Sequence, residues 1–293
     1  MARAHRTPVM AKQIRRAAIC LGVFVLALLP FHAQARSYDD VIASGTLRVA
    51  VYRDFPPFAS GPDNALSGID VDIGAAIARR LGVAVSYMNL TAGETEDDDL
   101  RNAVWKGHYL GGGVADLMLH VPVDRNLAER NDNVVIFAPY YEERVVVLTD
   151  PAQTSGDDLV SAFADHKVGV DLESLADLYL GSAFGGAVRG SVVHFHSVAD
   201  AVAALRRGEV AGVVGTQGEI EGALHGDRGD DRLGPMPMPG LLRTSWPVGM
   251  AVKVNAHDLA NAIEPIMATM VKDGSLTAIF AAHGLSYAPK PLP

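Results

Sequence analysis

GTLRVAVYRDFPPFASGPDNALSGIDVDIGAAIARRLG, Gly45 to Gly82, is the stretch on which the fold reading turns. Thr46 to Val51 is rich in β-formers and starts directly after a glycine, which reads as a strand. Pro56 and Pro57 fix φ, so the loop Asp54-Phe-Pro-Pro-Phe58 is stiff. Asp70 or Asp72 then caps a helix whose apolar positions Ile73, Ile77 and Leu81 fall four apart, with Gly82 as its stop. Val83 to Met88 returns to strand.

The same alternation continues along the chain. Ala115 to Leu119 and Arg144 to Thr149 read as strands, and a second series begins at Lys167 to Val170, followed by a helix from Ser174. Ser191 to Phe195 is a strand, and Ser197 with Asp200 makes a helix start for Val198 to Arg207, stopped by Gly208. Val210 to Gly215 reads as a buried strand and Val248 to Val254 as another. Two helices close the chain, Asn255 to Lys272 and Ser275 to Ala282, the first expected to kink or split at Pro265. Asp150 to Asp158 and Gly226 to Gly240 read as surface loops. Alternating strands and helices imply mostly parallel sheets flanked by helices, here in two lobes.

Residues 1–35 read as a secretory signal peptide. Five basic residues precede an apolar run, Ala17 to Phe31, that ends in His32-Ala-Gln-Ala35. The run is shorter than the roughly 20 apolar residues of a spanning helix. Cleavage after Ala35 removes the single cysteine, Cys20, and leaves 20 Lys+Arg against 34 Asp+Glu. A chain that acidic repels phosphate backbones, so nucleic acid is excluded as a partner. No later segment is long and apolar enough to span a bilayer, and no cofactor pattern is present.

Gly45 to Val51, Asp54 to Phe58, Leu66 to Asp72, Val134 to Tyr140, Lys167 to Val170, Leu205-Arg-Arg-Gly208 and Lys272-Asp-Gly274, in that order and spacing, resemble the amino-acid-binding type of periplasmic solute-binding protein, family 3. The resemblance implies a type II periplasmic-binding-protein fold. Residues 36–141 and 247–293 would form the first lobe, 146–242 an inserted second lobe, and 141–146 with 243–247 the hinge. Ligand would sit in the cleft between lobes and close it.

Departures from the family pattern are informative. The family's Thr-x-x-Arg segment keeps its arginine as Arg125, but the hydroxyl position is Pro122, with His120 two before it. A Gly-Thr in the second lobe is replaced by Glu173-Ser174, and the aspartate that pairs with an amino group by Thr216. A buried zwitterion needs both charges paired. This chain lacks the ammonium's counter-ion and adds Glu173, so the resemblance implies a ligand other than a standard amino acid. Asp54, Phe55, Phe58 and Trp246 complete the expected cleft. Phe55 and Phe58 either wall it or pack locally, Trp246 either lines it or packs the hinge, and Arg125 either grips a carboxylate or pairs with Asp124 or Glu129.

The inserted His108-Tyr-Leu-Gly-Gly-Gly113 and the block that follows resemble the accessory J proteins (MxaJ- and XoxJ-like) of bacterial methanol dehydrogenase systems. That resemblance implies a periplasmic partner, a pyrroloquinoline-quinone (PQQ) methanol dehydrogenase, met in part through His108, Tyr109 and Leu110. The substrate-binding component of an ABC transporter for a small solute other than a standard amino acid is the alternative; the cleft would hold a small molecule or a peptide. A dehydratase-like enzyme on the same scaffold, which the resemblance also implies, is the weakest reading: the sequence offers no catalytic constellation, and Glu173 would be its general acid. No metal set is indicated. His194 and His196 share a strand face without a third ligand, and Glu94 to Asp99 reads as a solvated helix start. Gly111 to Gly113 lets a loop turn and is no phosphate loop; Met236-Pro-Met-Pro-Gly240 is either a contact surface or a stiff linker.

Overall fold

The structure is a computed structural model that describes residues 36–154 and 159–288; the signal-peptide reading lies outside the described residues. The chain opens with α1 (Tyr38–Ser44), whose capping box is closed by Ser37 and Asp40. Strand β1 (Thr46–Tyr52) follows, then α2 (Ile69–Leu81) and β2 (Ala84–Leu90), which lies parallel to β1. The expected cap of α2 is corrected. The N-cap is Gly68, at φ 141°, and Asp70 is buried inside the helix start. A Cβ on Gly68 would lie 2.2 Å from the Phe58 carbonyl oxygen, so the close approach of two backbones selects glycine there.

Next come α3 (Glu96–Leu100), prolonged as a π-turn to Trp105, then β3 (Leu117–Pro122) and α4 (Arg125–Arg130). The Glu94–Asp99 stretch is a helix start, as expected, capped by the Thr95 side chain. Strand β4 (Val134–Thr149) is sixteen residues long, far longer than the stretch that sequence periodicity marks. Its first part pairs with β9 (Ser245–Lys253), and its last part with β7 (Gly212–Thr216). It also pairs with a short β8 (Arg232–Pro235), which corrects the expectation that Gly226 to Gly240 is all loop. The remaining elements are α5 (Leu159–Asp165), β5 (Val168–Asp171), α6 (Leu175–Leu180), β6 (Val192–Phe195), α7 (Val198–Arg206), α8 (Gln217–Leu224), α9 (His257–Lys272) and α10 (Ser275–Ala282). Helix α9 runs through Pro265 without splitting; Pro265 is exposed, so the carbonyl it leaves unpaired can be met by solvent.

The strand order is β2-β1-β3-β9-β4-β7-β5-β6, with β8 on β4. Four hydrophobic clusters cover its faces. Two lie about β1, β3 and the start of β4, built on residues such as Leu47, Ile77 and Met118. Two lie about β5, β7 and the end of β4, built on residues such as Phe163, Val170 and Val213. The long strands β4 and β9 are the covalent and hydrogen-bonded link between these halves, through the pairs Tyr141↔Val248 to Arg144↔Ser245. Trp246 packs against a cluster on each side. Among the described residues no helix is long and apolar enough to cross a membrane.

Candidate functional site

The β1–α2 loop is held rigidly at the seam of the two halves. The Phe55 and Ala59 amides exchange bonds with each other's carbonyls, and Phe58 is fully buried. The Phe55 and Phe58 rings stack at 5.2 Å, and the His120 ring meets each edge-on, at 4.8 and 4.3 Å. His120, at the end of β3, has φ 60° and is buried. Its strained backbone is tied down: its amide donates to the Tyr140 hydroxyl at 3.0 Å, and its Nδ1 lies 3.2 Å from Asp70. Tyr140 in turn donates to the other Asp70 oxygen at 2.7 Å. Burial and the adjacent Asp70 push the Tyr140 phenol well above its ordinary pKa, so it remains a donor. His120 is thus a hydrogen-bonded structural histidine that also faces a cavity.

Across the seam stands the N-terminus of α8. Thr216 caps it, accepting from the Glu219 amide and donating to Glu219 Oε2 at 2.7 Å. Glu143, on the crossing part of β4, is almost wholly buried; its Oε1 accepts from the Gly218 and Arg144 amides, while Oε2 has no partner. Burial pushes the Glu143 carboxyl up. Burial also pushes Glu219 up to about 7, with repulsion from Glu143 and Asp171 adding to it and the Thr216 hydroxyl opposing it. Gly218 and Gly222 let the opposite loop come close. A Cβ on Gly218 would lie 2.6 Å from the Phe58 ring, and one on Gly222 would lie 2.7 Å from Pro57.

Two cavities flank the loop and share Asp54 and Phe55. One, of about 570 Å³, lies between the loop and the second half and is lined among others by Asp171, His196, Glu219, His225 and His283. The other, of about 490 Å³, is lined by Tyr52, Phe55, His120, Pro122 and Trp246, with Asp54, Glu94, Glu96 and Asp99 as acids. Tyr52 donates to Asp99 at 2.8 Å, and the other Asp99 oxygen accepts from the Gly93 amide. Among the described residues no group of three histidines, cysteines or carboxylates is arranged to hold a metal ion.

The expected site residues divide. Asp54, Phe55, His120 and Trp246 line cavities, while Phe58 lines neither and is fully buried against the Phe55 ring. Arg125 is not brought to the cleft. Its side chain is 88% exposed and donates to Glu129 at 2.7 Å, because position one of α4 projects to solvent beside the acid one turn on. Asp124, its other expected partner, instead caps α4 and pairs with Arg243 at 2.6 Å. Glu173 is exposed in a left-handed turn, outside both cavities, so it has no enclosed place in which to act as an acid. Ser174 is the α6 cap, and Thr216 acts through Glu219. His194 pairs with Asp177 while His196 faces the larger cavity, so the two meet different partners. In the insert, Tyr109 is 81% and Leu110 78% exposed, and the three glycines all have positive φ.

Sequence reasoning missed Tyr52, Asp99, Asp171, Glu143 and Glu219. Glu219 carried a signal: Thr216-x-x-Glu219 after a Val-rich strand is capping-box spacing, which places its carboxyl at the helix mouth. Glu143 carried none, since a charged residue in a strand reads as outward-facing until the partner strand is known.

Residues 47–102 match the family of bacterial extracellular solute-binding proteins, family 3. The match spans β1, the loop and α2 to α3. Solved structures extend the likeness over 85% of the chain. An ancestral cationic amino-acid solute-binding protein superposes with a TM-score of 0.66 at 20% identity, over 85% of this chain and 99% of that one. An amino-acid ABC transporter substrate-binding protein from Streptococcus pneumoniae, bound to L-arginine, gives 0.55 at 20% identity, over 85% and 100%. The L-cysteine solute receptor of Neisseria gonorrhoeae gives 0.53 at 20% identity, over 85% and 93%. No curated protein matches the sequence. The fold is that of the two-lobed solute-binding proteins, a mixed α/β sheet flanked by helices.

Proposed function

We propose that this chain is an exported binding protein that holds a ligand at the seam of two lobes and performs no chemistry on it. Residues 36–141 with 247–293 form one lobe in this reading, 146–242 the other, and 141–146 with 243–247 the hinge. The observation that carries the reading is the pair of cavities on either side of the rigid Asp54–Phe58 loop, the larger lined from both halves of the molecule. The solved relatives are described as binders of amino acids, which supports a small polar organic ligand here. The displacement of Arg125 from the cleft argues against the family's usual grip on a carboxylate.

A second, finer role is favoured by the insert. Tyr109 and Leu110 are the kind of exposed aromatic and aliphatic side chains that anchor protein contacts. They support the reading of an accessory protein to a PQQ-dependent methanol dehydrogenase, with the transporter-linked solute receptor as the alternative. Tagging the chain in its own host and identifying what co-purifies from the periplasm under mild salt separates the two. A quinoprotein dehydrogenase lost on replacing Tyr109 and Leu110 by serine supports the accessory role. Transporter subunits or a bound solute alone rule it out.

A further inference from the structure

We propose that the cavity walled by Tyr52, Phe55, His120 and Trp246 takes a small organic ammonium ion that carries no carboxylate. The inference deepens the binding-protein reading and rests on it. The walls decide the ligand's charge. Tyr52 and Phe55 stand edge to face, with centroids 6.3 Å apart and planes at 81°, and His120 is likewise perpendicular to Phe55. Four aromatic side chains thus line one cavity, and aromatic rings attract a cation of low hydration. Trp246, the aromatic with the strongest such attraction, closes the side nearest the hinge.

The polar lining agrees in sign. Asp54, Glu94, Glu96 and Asp99 line the same cavity, and Arg53 is its one cation among the described residues. Arg53 lies beside Asp63, 3.7 Å away. A zwitterion entering here would lay its carboxylate among four acids, with Arg53, loosely paired and solvent-exposed, as the one cation to meet it, a cost that a carboxylate-free cation avoids. The larger cavity offers no rescue: its basic lining is three histidines, of which His283 is paired with Asp72 at 2.8 Å. Glu94 and Glu96 are exposed at the mouth, where they raise the local concentration of cations and remain free to be replaced without disturbing the core.

The chain has two tryptophans, so Trp105→Phe leaves Trp246 as a fluorescent reporter inside the cavity. The experiment titrates that protein, produced in an exporting host, with tetramethylammonium, with tert-butanol as a neutral probe of the same shape, and with L-arginine as a carboxylate-bearing cation. Tetramethylammonium is expected to saturate the signal at least tenfold tighter than either control. Replacing Glu94 and Glu96 together by glutamine should weaken it at least threefold, and Phe55→Leu at least tenfold. Arginine binding as tightly as tetramethylammonium overturns the inference while leaving a binding protein in place. Equal affinity for tert-butanol, or no change in the Glu94/Glu96 variant, overturns the role of charge. Failure of all three probes to bind overturns the inference, and a co-purified solute of another class would then show that the binding reading survives it.

Discussion

Glu219 shows how a single side chain couples the seam to pH. Its carboxyl is desolvated beneath the loop and faces Glu143 and Asp171, with the Thr216 hydroxyl and, more distantly, His120 as the opposing influences. The folded-state pKa of about 7 lies above the ordinary glutamate value of 4.5, so the folded form retains a proton that the unfolded chain has released. The contribution of Glu219 to stability is therefore full below about pH 4.5 and is lost as pH rises through about 7, by something on the order of 1–3 kcal/mol. Glu143, also pushed up by burial, contributes with the same sign. Urea unfolding at a series of pH values should show this decline, and Glu219→Gln should flatten it. A Glu219→Gln profile that falls as steeply as the parent's would contradict the assignment. Gly68 gives a second check: with φ 141° and a Cβ 2.2 Å from the Phe58 carbonyl oxygen, Gly68→Ala should cost about 2–4 kcal/mol, read as a lowered urea midpoint. At this scale the sequence was only partly legible. His120, Phe55 and Trp246 were visible as candidates from their positions. The environments of Glu143 and Glu219 were not, because burial of a charge is set by residues brought from distant parts of the chain.

Elements were far more legible. Periodicity and caps located β1 and α7 to within two residues, along with the Gly82 stop of α2 and the Ser174 start of α6, since glycine stops and Ser or Thr caps act locally. The failures were tertiary. β8 has four residues, including Gly234 and Pro235, and exists because β4 offers it an edge. The full length of β4 is likewise set by its partners, with an irregularity between Phe137 and Tyr141 where Ala138 takes φ 46°. α8 carries the prediction that belongs to this scale. Thr216 both caps it and donates to Glu219, so Thr216→Ala should lower stability by about 1 kcal/mol and raise the Glu219 pKa further. Thr216→Ser, which keeps both bonds, should restore most of each, as followed by urea unfolding and by the pH profile.

For the whole molecule, the halves meet where bulky residues of one are received by glycines of the other. Phe58 rests on Gly218 and Pro57 on Gly222, while the Ser286 amide donates to Glu221 at 2.8 Å beyond them. Gly218→Val would push a side chain into the Phe58 ring and should hold the lobes apart, seen in solution as a larger radius of gyration by X-ray scattering. An unchanged radius with an unchanged melting temperature would mean that the contact does not set their spacing. The two-lobed architecture was legible because a long chain of alternating strands and helices has few other ways to bury its apolar faces. The ligand was not, because it depends on which side chains survive the approach of the lobes, and Arg125 did not. The most direct test of the central claim is native mass spectrometry of the protein purified from its own host, beside its Phe55→Ala and Trp246→Phe variants. One small molecule should be held per chain and lost from the variants; a ligand retained equally by all three, or none in any, would contradict a binding site at this seam.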